Sequence, residues 1–307
     1  MKSRRTSTIV AVAVLVLAFA GSLLALHQVD QVRGKQATLE EILYIPSGKT
    51  LKKMSLGYTG LLADIYWTRA VQYFGKKHQD EAMHYELLGP LLDITTDLDP
   101  HLIIAYEFGS IFLSQSPPAG AGQPDKAVAL VEKGIRANPD RWRFYFTLGY
   151  IHYFDRKDYK AAREAFQTGS EKPGAYFWMK VMAAEMAHRA GESSLAEEIW
   201  ARLLESSQDE MVKDNARQHL AALQVEKEID EINQRIAIFR QKTGQQPSSW
   251  LNLIRAGLLR GIPIDTLHNP LKLMPDGTIQ VADPDKYQFL TKGLPPGYKR
   301  RVKHPPN

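Results

Sequence analysis

Cysteine is absent from this chain of 307 residues. Its absence excludes disulfide bonds, thiolate metal sites, a cysteine nucleophile and the lipidated cysteine of bacterial lipoproteins. A large excess of either charge is also missing: 39 Lys and Arg against 34 Asp and Glu leave a net charge of +5, and the two signs are interspersed. Nucleic-acid binding is therefore not expected, and the basic end at residues 299–304 is interpreted as a solvated tail.

Motifs for enzymes and cofactors are missing as well. His78 and His84 lie six residues apart, which is not a metal-ligand spacing on a helix, and no H-E-x-x-H motif occurs. The acidic residues in 93–99 lack the ligand spacing and the glycine of a calcium loop. The segment 119–122 lacks the strand and the lysine of a phosphate loop. We predict no enzymatic activity, no cofactor and no metal site.

The amino terminus carries an apolar run of eighteen residues, 9–26, directly after a basic segment. A helix of this length spans about 27 Å, close to the thickness of a bilayer core. The sequence predicts a retained transmembrane anchor, with residues 1–8 in the cytoplasm and the bulk of the chain in the periplasm of a bacterium with two membranes. Cleavage after Ala20 is the alternative, and it would release a soluble protein.

Two amphipathic helices are predicted between Trp142 and Phe166. Gly149 in the first helix and Ala162 in the second are small residues that allow the helices to approach closely. Tyr159 and Phe166 fill the space around them. This pattern resembles the tetratricopeptide (TPR) repeat, a helical hairpin that stacks on its neighbours.

The same pattern recurs on both sides of this hairpin. It lies upstream between Tyr106 and Pro139, downstream between Ala184 and Leu203, and in a looser first copy between Tyr66 and Ala82. The resemblance implies a mainly α fold in which about four repeats over residues 58–208 form a right-handed TPR-like solenoid. Residues 27–57 are then a linker and an amino-terminal cap, and the chain looks like membrane-anchored bacterial TPR proteins.

In TPR arrays the first helix of each hairpin lines a concave groove. The register that the resemblance implies places a mainly aromatic set there, which we predict as the partner-binding groove: Asp64, Trp67, Val71, Phe74, Tyr106, Arg143, Phe146, Tyr150, Tyr153, Trp178, Glu185 and His188. Aromatic side chains supply a large contact area at low entropic cost, which suits capture of a polypeptide segment. The alternative is that a tight superhelix, or the carboxy-terminal region folded back, buries them as core.

The sequence of the carboxy-terminal third predicts two further structural parts, a helical segment and a small module. Apolar residues in 209–243 recur at spacings of three and four, which predicts one long helix or two in series. Residues 244–307 predict a small α+β module with a short helix from Trp250 and a β-hairpin that turns at Asp276. Its order of pieces, with a D-x-x-x-N-P pattern at residues 265–270, resembles the periplasmic part of pseudopilins, although no pilin cleavage motif precedes the apolar run. A capping module on the last repeat is the alternative.

Together these patterns favour a non-enzymatic scaffold or chaperone-like assembly factor that binds a protein of the cell envelope. One alternative is an accessory role in cytochrome c maturation or for translocated chains, which the resemblance to anchored TPR proteins implies. Another is an envelope hydrolase or substrate-binding subunit with its site in residues 244–307.

Overall fold

The computed structural model describes residues 47–299, together with Ala18, Phe19, Gly21 and Ser22. This part of the chain is mainly helical, with eleven α-helices and one two-stranded sheet, which confirms the predicted fold class at that level. Apart from those four residues, the predicted anchor at 9–26 lies outside the described residues, as do most of the linker and the basic end from residue 300. Within the described ranges, no helix combines the length and the apolar character needed to cross a membrane.

The chain divides into two compact units, the first ending at Gln123 and the second beginning at Pro124. The boundary falls inside the second predicted repeat, between its two helices.

The first unit contains four helices: α1 (Gly48–Met54), α2 (Thr59–Gln79), α3 (Leu88–Leu98) and α4 (Ile103–Ser114). The hydroxyl of Ser47 caps α1 by accepting a hydrogen bond from the Thr50 N–H. Helix α3 is at the centre, because α1, α2 and α4 all pack against it. Its apolar residues are accordingly buried on almost every side.

A Pro/Gly-rich segment, residues 115–123, follows α4 and folds back onto it. The Ala121 N–H donates to the Phe112 carbonyl at 2.8 Å, and the Gln123 N–H donates to the Leu113 carbonyl at 2.7 Å. The Tyr85 hydroxyl donates to the Pro118 carbonyl at 2.7 Å. These bonds satisfy backbone groups at the end of α4 and attach the segment to the first unit.

The second unit begins with five helices: α5 (Pro124–Ala137), α6 (Trp142–Phe154), α7 (Tyr159–Ser170), α8 (Trp178–Arg189) and α9 (Ser193–Ser206). Each helix packs against the next one along the chain, so the architecture is that of successive helical hairpins. Asp158 caps α7 by accepting from the Ala161 N–H at 3.0 Å. The helices of the predicted central hairpin thus begin at Trp142 and Tyr159, as the sequence pattern indicated.

Helix α10 (Glu210–Thr243) is continuous over 34 residues, capped by Asp209 and ended by Gly244 in the left-handed conformation. Its amino-terminal half contributes Val212, Ala216 and Leu223 to a core shared with α8 and α9. Its carboxy-terminal half contributes Ile229, Ile232 and further apolar residues to a second core. One helix therefore belongs to two hydrophobic cores in succession.

The second core is completed by the carboxy-terminal module. The module contains α11 (Trp250–Arg255), the antiparallel strands β1 (Lys272–Leu273) and β2 (Ile279–Gln280), and a 3₁₀ helix at Pro284–Lys286. The predicted D-x-x-x-N-P element is a closed loop here: one carboxylate oxygen of the buried Asp265 accepts from the N–H groups of Leu267 at 2.9 Å and Asn269 at 2.8 Å. The Asp and Asn of the pattern thus stabilise a local turn.

Gly149 of α6 lies where the central hairpin is most tightly packed. A Cβ atom built on it would be 2.7 Å from the ring of Phe166, which is fully buried on α7. The small residue therefore makes room for an aromatic ring of the neighbouring helix. Ala162, the other small residue of the pattern, is also fully buried.

We expect Gly149→Ala to lower the free energy of unfolding by about 1–3 kcal/mol, because the buried Phe166 ring must move to admit the methyl group. The matched control is Gly75→Ala in α2, where a Cβ would meet no described neighbour within 4 Å. That change should raise stability by about 0.5–1 kcal/mol through helix propensity. Urea denaturation of both variants measures the difference in the free energy of unfolding. If both substitutions stabilised the protein, the close contact between position 149 and Phe166 would be contradicted.

Candidate functional site

A stripe of four aromatic side chains, Trp142, Phe146, Tyr150 and Phe154, runs along α6 at four-residue spacing. Neighbouring rings contact one another, with centroids 6.4, 6.2 and 4.4 Å apart in that order. Residues four apart lie on one helix face, so the rings form a continuous surface, called here the aromatic stripe. Tyr150 and Phe154 are 45% and 46% exposed.

The stripe continues beyond α6 at its Trp142 end. The ring of Tyr176 lies 6.5 Å from that of Trp142, and Phe177 lies 5.7 Å from Tyr176. Both side chains precede α8 and are exposed. The second unit therefore presents an extended aromatic surface drawn from two separate segments, and exposed apolar surfaces of this kind are typical of interaction sites.

Basic side chains lie over the two ends of the stripe. The guanidinium of Arg143 is 5.5 Å from the Trp142 ring centre, and the ammonium of Lys157 is 5.6 Å from that of Phe154. Such cation–π contacts hold positive charge beside the rings. The surface is thus apolar along its length and positively charged at its ends.

The predicted groove residues of the second unit divide by exposure. Arg143 and Tyr150 are exposed, whereas Phe146, Tyr153, Trp178 and Glu185 are partly buried and His188 is buried. Phe146 also contacts Phe166 at 6.0 Å between ring centroids, which anchors the stripe to the core. The sequence-derived set omitted four aromatic residues of this surface: Trp142, Phe154, Tyr176 and Phe177. Four-residue spacing from Trp142 would have indicated Phe154.

The predicted groove residues of the first unit have different surroundings. Trp67 and Phe74 of α2 both stack on Phe112 of α4, with centroids 6.4 and 3.9 Å apart. Tyr106 is fully buried, while Asp64 and Val71 are exposed. Most of the aromatic area in this set is used in packing within the first unit.

Two helices of the second unit meet at a buried polar group, called here the histidine cluster: Glu185 and His188 from α8, with His219 and Glu226 from α10. His188, His219 and Glu226 are each less than one-tenth exposed. Nε2 of His188 lies 2.8 Å from Oε2 of Glu226. The residue types in this cluster are ones that bind divalent metals.

The Glu226 carboxylate is the most heavily hydrogen-bonded group of the cluster. Its Oε1 accepts from the backbone N–H and the hydroxyl of Thr291, at 2.5 and 2.7 Å, and from the Lys292 N–H at 3.2 Å. Burial raises the pKa of this carboxyl group, but the hydrogen bonds from His188 and Thr291 outweigh burial and hold the pKa below its usual value. The group is therefore an ionised acceptor.

His219 lies between two aromatic rings. Its centroid is 4.0 Å from that of Trp200 and 3.6 Å from that of Phe289, with nearly parallel planes. Its Nε2 is 3.7 Å from Oε2 of Glu185, beyond hydrogen-bond distance, and its buried Nδ1 has no hydrogen-bond partner among the residues that the structure describes. Burial, helped by the nearby His188, lowers the pKa of His219 to about 3. An unsatisfied buried nitrogen of this kind costs about 1–3 kcal/mol.

The histidine cluster shows which residues lie against the predicted groove residues of α8. Glu226 of α10 hydrogen-bonds His188, and Phe289 of the carboxy-terminal module stacks on the neighbouring His219. Val181, one turn before Glu185 on α8, is also buried, in the core that α8 shares with α9 and α10. The long helix therefore contacts the His188 end of α8, and the carboxy-terminal module contacts the long helix beside it.

Two open clefts of about 630 Å³ each lie elsewhere in the second unit. One runs along α10 beside residues 257–264, and its charged lining comes from Glu228, Glu231, Arg235 and Arg260. The other is formed by residues of α7, α8 and α9, including Lys180 and Arg202. Among the described residues that line them, neither cleft contains a histidine or a serine–histidine pair of the kind that nucleophilic catalysis uses.

Comparison with known proteins identifies no relative: no family model, no curated protein and no solved structure gives a significant match to the chain.

We expect acid to destabilise the second unit through His219. The unfolded chain takes up a proton near pH 6.5, whereas the folded imidazole stays neutral until about pH 3. Stability from this group is therefore lost as the pH falls from 6.5 towards 3, by about 1.4 kcal/mol for each pH unit. Urea denaturation at several pH values, in buffer with a chelator, measures the slope.

The control is His219→Phe, which keeps a ring between Trp200 and Phe289 but removes the titrating group. Its stability should vary less with pH than that of the parent chain over the same interval. Identical pH dependence of the two proteins would mean that His219 is not buried in its neutral form.

Proposed function

We propose that this chain is a non-enzymatic protein-binding scaffold or assembly factor of the cell envelope, whose TPR-like hairpins bind a polypeptide segment of a partner protein. The observation that carries the proposal is the exposed aromatic stripe on α6, extended by Tyr176 and Phe177 and bordered by Arg143 and Lys157. On this proposal, residues 58–208 are TPR repeats.

The stripe has the physical properties of a binding surface. Aromatic rings carry much apolar area on few rotatable bonds, so little conformational entropy is lost when a partner covers them. Phe146 is fixed from behind by Phe166, and ring contacts link it to both neighbours in the stripe. The surface is therefore already ordered before a partner arrives, which lowers the cost of association.

The charges at the stripe favour one class of partner. Arg143 and Lys157 place positive charge over the terminal rings. A segment with apolar side chains at its centre and acidic residues at its ends would complement this pattern, because opposite charges favour correct orientation and faster encounter. An amphipathic helix or an extended strand of that composition is the expected ligand.

The membrane part of the proposal comes from the amino terminus. The eighteen-residue apolar run after Lys2, Arg4 and Arg5 supports an anchor that leaves the bulk of the chain in the periplasm. A scaffold held at the membrane meets partners at high local concentration, which favours weak but specific contacts.

Site-specific photo-crosslinking in cells tests the binding surface. With a photoreactive phenylalanine in place of Tyr150 or Phe154, we expect adducts of discrete mass with an envelope protein. Lys157→Glu should lower their yield, since it reverses the charge at one end of the stripe.

The matched control places the same photoreactive residue at Leu251, an apolar side chain of α11 that is 55% exposed. It should give no such adduct. Equal adduct patterns from positions 150, 154 and 251 would contradict a binding role for the stripe.

A second experiment tests the location. A reporter fused after Asn307 should be active only outside the cytoplasm, and the mature protein should still begin at or near Met1. Amino-terminal sequencing that starts at Gly21 would contradict a retained anchor but would leave export intact. A reporter that is active in the cytoplasm would contradict export itself.

A further inference from the structure

The histidine cluster is arranged as a set of metal ligands. Glu185, His188 and His219 each offer one donor atom, and these atoms all lie within 4.8 Å of one another. Glu185 and His188 are one turn apart on α8, so both side chains leave the same face of that helix. His219 reaches the same point from α10. Residues distant in sequence therefore place one carboxylate and two imidazoles around one small volume.

His219 is a second and independent sign of a ligand. It is 3% exposed, it is fixed in orientation by the rings of Trp200 and Phe289, and its Nδ1 has no hydrogen-bond partner within the described part of the chain. Its Nε2 faces Oε2 of Glu185 across 3.7 Å, a gap too long for a hydrogen bond. Nε2 is therefore the nitrogen of His219 that is placed to coordinate an ion beside Glu185.

His188 is oriented as metal-bound histidines are. Nε2 of His188 lies 2.8 Å from Oε2 of Glu226, so this nitrogen is hydrogen-bonded to the carboxylate. The other ring nitrogen, Nδ1, is the one left to bind an ion. In metal sites a ligating imidazole characteristically donates its other N–H to a carboxylate, which sets the tautomer and raises ligand basicity. Thr291 and Lys292 in turn fix Glu226.

The charges around the cluster leave a place for a cation. Glu185 and Glu226 contribute two negative charges, and the nearby Arg189 neutralises one by donating from Nε to Oε1 of Glu185 at 2.7 Å. Oε2 of Glu185 remains directed at His219. Lys292 binds Asp230 instead of the cluster through its ammonium group.

We propose that Glu185, His188 and His219 bind one divalent ion of the zinc type, with Glu226 as the positioning residue of His188. Two imidazole nitrogens and one carboxylate oxygen are a donor set that zinc accepts. Bonds of about 2.1 Å require ligand atoms roughly 3.4 Å apart, so the set must close around the ion. Glu185 is only partly buried, and it is the ligand best able to move.

Such an ion would join α8 to α10 and, through Glu226, to the segment around Thr291. Its role would be to fasten the carboxy-terminal module to the last hairpin, which is separate from partner binding at the aromatic stripe.

Zinc binding to the full chain, purified in detergent without a polyhistidine tag and stripped with a chelator, tests the proposal. Competition with a chromophoric chelator should give one Zn²⁺ per chain with micromolar or tighter affinity. Glu185→Gln should weaken binding at least tenfold, and His219→Phe about a hundredfold. Glu226→Gln should weaken it by about 10–100-fold by loosening His188.

The control is His84→Ala, which removes an exposed histidine of the first unit and should leave the affinity unchanged. Zinc should also raise the melting temperature of the parent chain but not that of Glu185→Gln, a variant at a partly exposed position whose fold is checked by circular dichroism. Failure of the parent chain to bind zinc at one per chain would overturn the proposal. Equal affinities for the parent and both ligand variants would overturn it too.

Discussion

The buried carboxylate of Glu226 is the interaction on which the arrangement of the second unit depends. A charge inside a protein is tolerated only when its hydrogen bonds are complete, and here they come from His188 of α8 and from Thr291 and Lys292 of the carboxy-terminal module. Removing one partner of a buried charged pair costs about 3–5 kcal/mol. Three segments distant in sequence are therefore held in one arrangement by a single group on α10.

Local pattern made much of the helical structure predictable. The starts at Trp142 and Tyr159, the long helix that ends at Gly244 and the hairpin with its turn at Asp276 all follow from periodicity, capping and turn residues, which act within a few positions. The TPR family itself stays a prediction, because no comparison with known proteins tests it. The anchor stays a prediction too.

The histidine cluster was not predictable in the same way. His188 and Glu226 are 38 residues apart, and Glu226 and Thr291 are 65 apart, so no spacing rule connects them. They meet only because α8 and α10 both pack against α9 and the module returns to α10. The prediction that the chain has no metal site was based on His78 and His84, which lie close together in the sequence. Sequence spacing alone could not show that His188 and His219 come close together in the fold.

Aromatic residues show why the groove could be placed only in part. Trp67 and Phe74 recur at helical spacing, as Phe146 and Tyr150 do, but the first pair stacks on Phe112 while Tyr150 stays exposed. Spacing identifies which side chains share a helix face. Whether a neighbouring ring covers that face is decided by packing partners elsewhere in the chain.

The two cores of α10 also bear on how this protein can be shortened. A chain that stopped at Gly244 would keep the whole helix but lose every partner of Ile229, Ile232 and Ile236 from the carboxy-terminal module. The helix would then carry a bare apolar stripe, the kind of surface that drives self-association and attracts quality-control proteases. The small module at the end of the chain is thus needed to keep the helices before it soluble. A nonsense mutation in the module would lower the abundance of the protein, whatever its effect on binding.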